Sequence, residues 1–253
     1  MLKPKKHLGQ HFLTDRNIAS RIIGSIRAVD YDRLIEVGPG KGILTGLLLE
    51  RTDIKLFAVE IDQEAFEYVL NLWPELKGVM QKADFLQLSL QENYGDKFGI
   101  IGNFPYNISS QIFFKILEYK DNCREVVCMI QKEVADRIIS PPGNKTYGIL
   151  SILLQTWYDM EYLFTVNPGS FFPRPEVKSA VIRMTRNSRM RLPVDQEFFT
   201  RLVKTAFNQR RKMLRNSLKT FCKSVPEGNP FLTKRPEQMS VEEFIELALL
   251  ITK

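Results

Sequence analysis

The run Arg33-Leu34-Ile35-Glu36-Val37, passing into Gly38-Pro39-Gly40-Lys41-Gly42, constrains this chain more than any other stretch. The apolar residues read as a short buried strand. The glycines then let the backbone turn tightly and approach a ligand at the start of a helix. That helix is marked by the spacing of Ile43, Leu44, Leu47 and Leu48. A second strand, Lys55 to Val59, ends in Glu60-Ile61-Asp62, and a third, Val79 to Ala83, ends in Asp84-Phe85. Strand, glycine turn, helix, strand with acid, helix, strand with acid is the order of a nucleoside-binding α/β half. Glu60 stands about where a carboxylate receives ribose hydroxyls in such a fold.

Two common ligands of that fold are excluded by spacing. A dinucleotide fingerprint needs a third glycine three residues after the second, but Ile43 stands there and the glycines are Gly38, Gly40 and Gly42. A phosphate loop of the Walker type ends in Gly-Lys-Ser/Thr, and Gly40-Lys41-Gly42 does not. The pattern suits a ligand carrying an adenosine without a pyrophosphate.

The chemistry is expected on the loop Asn103-Phe104-Pro105-Tyr106. It leaves the apolar run Gly99-Ile100-Ile101-Gly102 and precedes a helix start at Ser109-Ser110-Gln111-Ile112-Phe113-Phe114. In an open α/β sheet, such a loop lies on the ligand side. An aromatic amine delocalises its lone pair into the ring and is a poor nucleophile. The Asn103 side-chain oxygen can accept one of its N–H groups. The Phe104 carbonyl can accept the other, with no competing N–H on Pro105. Two acceptors pull the nitrogen toward a pyramidal geometry and aim its lone pair, while Tyr106 stacks on the base. No strong general base is needed before attack, because the proton can leave once the nitrogen is cationic. The competing reading of these four residues is a plain turn, since Asn and Pro favour turns.

Charge divides the chain. The net charge is +7, yet residues 186–219 hold ten Arg or Lys against two acids, a local +8, so the rest is slightly acidic. The basic stretch carries helical stripes (Phe198, Leu202, Ala206, then Met213, Leu214, Leu218). A further amphipathic helix over residues 240–251 opens with Ser240 and Glu243 as a capping box. A small, basic helical piece beside an adenine-amine site favours a nucleic-acid partner over a merely solvated face. Three cysteines without metal-ligand spacing (Cys123, Cys128, Cys222) read as reduced thiols in a cytoplasmic protein. No apolar run is long enough to span a membrane. The basic start Met1-Leu2-Lys3-Pro4-Lys5-Lys6 is not that of a secretory signal. No metal is expected, and a monomer is.

Glu36-Val37-Gly38-Pro39-Gly40, with Glu60, Asp84 and Asn103-Phe104-Pro105-Tyr106, resembles the S-adenosylmethionine-dependent rRNA adenine N6-dimethyltransferases. The opening Gly9-Gln10-His11-Phe12-Leu13 is similar to that family's, which usually has Asn where this chain has His11. The string Ala206-Phe207-Asn208-Gln209-Arg210-Arg211-Lys212-Met213-Leu214-Arg215-Asn216-Ser217-Leu218 resembles the C-terminal signature of the small-subunit, ribosome-biogenesis branch. The resemblance covers nearly the whole chain. It implies a Rossmann-like α/β methyltransferase sheet, mostly parallel with one reversed strand near the edge, over residues 1–186. A small all-helical RNA-binding domain would follow over residues 187–253. It implies S-adenosyl-L-methionine as cofactor, with His11, Leu13, Gly38, Gly40, Glu60, Asp84 and Asn103 around it. The implied catalytic set is Asn103, Phe104, Pro105 and Tyr106, with Phe171 on the face of a flipped adenine opposite Tyr106. The substrate would be 16S rRNA in the small ribosomal subunit or its precursor, two adjacent adenosines near its 3′ end each gaining two methyls on N6. Arg210, Arg211, Lys212 and Arg215 would contact the RNA. Open alternatives are a large-subunit methyltransferase conferring antibiotic resistance, a DNA adenine or protein glutamine methyltransferase, and a nonenzymatic assembly factor.

Overall fold

A computed structural model describes residues 2–226 and 228–252. Among the described residues are nine strands: β1 (Phe12–Leu13), β2 (Arg33–Val37), β3 (Lys55–Glu60), β4 (Met80–Lys82), β5 (Phe98–Asn103), β6 (Cys123–Gln131), β7 (Tyr158–Val166), β8 (Phe171–Phe172) and β9 (Ser179–Arg186). Seven form one sheet in the order β4-β3-β2-β5-β6-β9-β7, and β1 pairs with β8 in a separate antiparallel ribbon. Strands β4, β3, β2, β5 and β6 run parallel to one another, and β9 is antiparallel to β6. The reversed strand therefore sits one place in from the edge. Leu34, Ile35, Ile100, Ile101, Val126 and Val127 are all buried, as continuous apolar strands covered on both faces must be.

The chain runs β2, β3, β4 outward on one side and then returns to β5 and β6 on the other. The order thus reverses between β2 and β5, and ligands bind beyond the carboxyl ends of strands at such a point. The glycine turn leaves β2 and the Asn103 loop leaves β5, so this topology sets the two motifs side by side.

Two compact units are resolved by the contacts: Met1–Ala135 with Asp159–Arg186, and Asp136–Tyr158 with Asn187–Lys253. This differs from a single cut after residue 186. The segment at 136–158 groups with the C-terminal unit because Tyr147 sets its ring edge against Phe207, centroids 6.4 Å apart. The Gly143 N–H also donates to the Glu237 carbonyl at 2.6 Å. The second unit is built from helices including Ile149–Gln155, Gln196–Asn208, Leu214–Ser217 and Val241–Thr252. In Gln196–Asn208 the core face is Phe199, Leu202, Val203 and Ala206, one residue displaced at its start from the expected Phe198. Met213 is 38% exposed rather than core. The expected capping box is formed: the Ser240 N–H donates to Glu243 Oε2 at 3.0 Å and the Glu243 N–H donates to Ser240 Oγ at 3.1 Å. Cys123, Cys128 and Cys222 form no disulfide among the described residues. Among the described residues, no helix is long and apolar enough to cross a membrane.

Candidate active site

A cavity of about 310 Å³ opens at the strand ends of the first unit, lined by the glycine turn, the ends of β3 and β5, and residues 8–13. Its floor is the glycine turn. Gly38 has φ +70° and nothing lies within 4 Å of the place a Cβ would take, so the backbone itself faces open space. Gly40, at φ +58°, passes so close to Phe12 that a Cβ would sit 2.9 Å from the ring. Both positions require glycine for conformation, and Gly40 also for room.

Glu60 ends β3 and is buried. Its Oε2 accepts the Gly40 N–H at 3.0 Å and its Oε1 the Asp62 N–H at 3.0 Å. Burial nevertheless raises its pKa, the backbone donors offsetting only part of the lost hydration. Each oxygen retains a lone pair for a ligand hydroxyl. Asp84 follows β4 and caps a short turn, Oδ1 accepting the Leu86 N–H at 3.0 Å. Ile61, Phe85 and Leu86 give the cavity an apolar wall near these acids. A buried carboxylate with free lone pairs, an open glycine floor and an apolar wall fit an adenosine-bearing ligand.

Asn103 ends β5. Its Nδ2 donates to the His11 carbonyl at 2.8 Å. A carbonyl only accepts, so this bond settles which way the amide points. Oδ1 is left as an acceptor with no partner among the described residues. Phe104 is buried, its N–H donating to the Met129 carbonyl at 3.0 Å, which anchors the loop to β6. Pro105 lines the cavity beside it. The Tyr106 hydroxyl lies 2.5 Å from Ser179 Oγ on β9, and burial raises its pKa.

The structure brings Gly38, Gly40, Glu60, Asp84, Asn103, Phe104, Pro105, Tyr106, His11 and Leu13 onto one cavity. His11 stacks on Tyr106, centroids 5.4 Å apart at 25°, and its Nδ1–H donates to the Pro173 carbonyl at 2.8 Å. Phe171 is not among the residues that line the cavity. It is 4% exposed in the apolar core and pairs with Leu13, while the next residue, Phe172, pairs with Phe12 and is 58% exposed. Side chains alternate across a strand, so one of two adjacent phenylalanines must turn inward, and here it is Phe171.

Several participants carry no clear signal in sequence. Glu36, fully buried under the glycine turn, takes the Thr45 hydroxyl at 2.7 Å, and burial, reinforced by the nearby Glu60, pushes its pKa up to about 8. Asp62 holds the N-terminal strap through Lys5 Nζ at 2.5 Å and Gln10 Nε2 at 3.1 Å. Partners this distant in sequence are visible only after folding. In the second unit, Arg211, Lys212 and Arg215 are exposed. Arg210 instead reaches the Asn144 carbonyl at 3.3 Å and Glu237 at 3.7 Å.

A doubly wound sheet with this cavity at its switch point defines an α/β methyltransferase catalytic unit. The family described as ribosomal RNA adenine dimethylase matches residues 1–244. The chain is 52% identical to the ribosomal RNA small subunit methyltransferase A of Parabacteroides distasonis, over 100% of this chain and 96% of that protein. It is 49% identical to the protein of the same name from Cytophaga hutchinsonii, over 99% and 98%. Among solved structures, a dimethyladenosine transferase from Plasmodium falciparum superposes with a TM-score of 0.77 at 24% identity, covering 94% of this chain and 96% of that one. The 23S rRNA methyltransferase ErmE superposes at 0.69 with 22% identity, covering 93% and 98%. These two likenesses establish the fold. The chain belongs to the ribosomal RNA adenine dimethylase family, whose cofactor is S-adenosyl-L-methionine.

Proposed function

We propose that this chain dimethylates the N6 amines of two adjacent adenosines near the 3′ end of 16S rRNA, in the small ribosomal subunit or its precursor, acting as a cytoplasmic monomer. The observation carrying the catalytic reading is the fixed Asn103 amide. Because Nδ2 is held on the His11 carbonyl, Oδ1 is left as an acceptor without a partner among the described residues. Full-length identity near 50% to proteins named for the small subunit supports the choice of RNA.

When bound, S-adenosyl-L-methionine supplies an electrophilic methyl group on a sulfonium sulfur. The open floor at Gly38 and Gly40 admits its methionine part, with His11 and Leu13 in the strap above. Glu60 accepts ribose hydroxyls, and Asp84 accepts the amine of its adenine. Asn103 Oδ1 and the Phe104 carbonyl take the two hydrogens of the target N6, leaving its lone pair aimed for in-line attack. Tyr106, held by Ser179, provides a stacking face for the extruded base. Phe171, on β8, is the candidate for the opposite face of that base. Proximity and exclusion of water supply much of the rate. Arg211, Lys212 and Arg215 contribute RNA affinity.

The test is transfer of tritiated methyl from S-adenosyl-L-methionine to small subunits and to large-subunit RNA, both lacking adenine methylation. N6,N6-Dimethyladenosine in the small-subunit digest is expected. Label confined to the large-subunit sample would place the chain with the resistance enzymes. No label in either, with cofactor bound, would make it an assembly factor.

A further inference from the structure

A base taken out of its stack leaves a flanking nucleotide that the enzyme must also accommodate, and contacts to flanking nucleotides set context preference in enzymes of this kind. Beside the cavity stands an aromatic residue with the chemistry for that task and no part in the proposed methyl transfer, on which its assignment rests for the nature of the substrate. Phe172 is 58% exposed, one of few large apolar side chains presented to water in the first unit. It is not on a slack loop. Its strand is paired residue by residue with β1, the Thr14 N–H donates to the Ser170 carbonyl at 2.8 Å, and His11 holds the Pro173 carbonyl at 2.8 Å. The backbone is thus pinned on both sides of an aromatic ring that is left uncovered.

Lys41 supplies the second component. It lines the cavity at the glycine turn, and its ammonium stands 5.3 Å from the Phe12 ring centroid and 5.5 Å from that of Phe172. No carboxylate pairs with it among the described residues. An unneutralised cation beside an exposed, rigidly held aromatic face at the rim of a base-sized cavity combines the two components of single-strand recognition, stacking and phosphate attraction.

We propose that Phe172 and Lys41 form an outer subsite for the nucleotide flanking the target adenosine, Phe172 stacking on its base and Lys41 facing its phosphate. The subsite is sequence-tolerant, because every base offers a π-face. It belongs to the catalytic unit, so the cavity grips the strand next to the reacting base without help from the basic turn of the second unit.

The probe is a short single-stranded RNA with 2-aminopurine next to an adenosine, mixed with the full-length protein; stacking quenches 2-aminopurine fluorescence. Quenching by the wild type and by Phe172→Tyr, with its loss in Phe172→Ala and Phe172→Leu, is the expected result. Phe172→Ala also raises KM for unmethylated small subunits about tenfold, while affinity for S-adenosylhomocysteine stays as in the wild type. Lys41→Gln lowers the slope of log affinity against log salt by about one. Full quenching by Phe172→Leu would overturn the proposal, since a ring that only shields Phe12 is replaceable by any apolar side chain. Weakened S-adenosylhomocysteine binding in Phe172→Ala would overturn it too, by assigning the ring to the cofactor wall. Intact quenching by a wild-type protein that fails to methylate small subunits would strike the functional reading and leave the subsite standing.

Discussion

The cavity of the first unit and the basic turn of the second hold their polar groups in opposite ways. In the cavity each functional side chain is buried or half-buried and fixed by a named partner: Asn103 by His11, Glu60 by Gly40 and Asp62, Tyr106 by Ser179, Glu36 by Thr45. In the turn, Arg211 and Lys212 are exposed, as is Arg215 just beyond it, and no ion pair restrains the three among the described residues. Fixed dipoles in a dry site act through geometry and lose their effect when displaced. Long cations in water act through their summed field, which no single side chain dominates. Substitutions should therefore be severe and specific in the first region, graded and salt-dependent in the second.

The sharpest test of that contrast is Asn103→Ala. It removes the oriented acceptor and frees the His11 carbonyl from its donor. Single-turnover methyl transfer is expected to fall about a thousandfold, ~4 kcal/mol of barrier, with the protein folded. Near-wild-type transfer would show that the loop geometry is not what activates the amine, and the contrast would collapse.

Glu36 gives the next effect, on stability. Its pKa rises from 4.5 to about 8, through burial first and repulsion by Glu60 second, with the Thr45 bond opposing. Between those values the folded protein keeps a proton that the unfolded chain has released. Stability from this group is thus full below about pH 4.5 and is lost as pH rises through 8, on the order of 5 kcal/mol. Urea midpoints at pH 5 and pH 8 should differ in the wild type and draw together in Glu36→Gln. An unchanged slope in the variant would mean that Glu36 is ionised where it lies.

Much of this arrangement can be read along the chain, and the limits are physical. The glycine turn, Glu60 and Asp84 announce themselves because the end of a strand fixes the position of the next few residues. The strand β7 has no such mark: its exposed face breaks the apolar pattern, with Asp159, Glu161 and Thr165 interleaved among Tyr158, Leu163 and Val166. Sequence cannot choose between Phe171 and Phe172, since two adjacent phenylalanines carry no sign of which faces the core until β1 sets the register. His11 lines the cavity with its ring on Tyr106, and its role in orienting Asn103 comes from the backbone carbonyl, which no residue type reports.

Glu60→Gln should come next in magnitude. The amide cannot accept at both former oxygens, so one of the Gly40 and Asp62 donors loses its partner, and the charge that ribose hydroxyls would meet is gone. Calorimetric affinity for S-adenosylhomocysteine is expected to drop roughly thirtyfold, ~2 kcal/mol, hydrogen bonds to charged groups being the stronger kind. Unchanged affinity would remove Glu60 from the cofactor site.

The smallest effects separate members of the basic turn from one another. Arg211→Gln, Lys212→Gln and Arg215→Gln should each weaken RNA binding only a few-fold at low salt. Each should also reduce the slope of log affinity against log salt by about one, because each neutralised phosphate releases about one counterion. Arg210→Gln should behave differently. Its guanidinium is already engaged with Glu237 and the Asn144 carbonyl inside its own unit. It is therefore less available to a phosphate, and losing the half-exposed pair costs at most about 0.5 kcal/mol of stability. The salt slope for Arg210→Gln should stay near that of the wild type, measured by filter binding across a salt series. An equal slope change for all four would mean that Arg210 leaves Glu237 for RNA. The turn would then act as one undivided charge, and its single fixed side chain would no longer resemble those of the cavity.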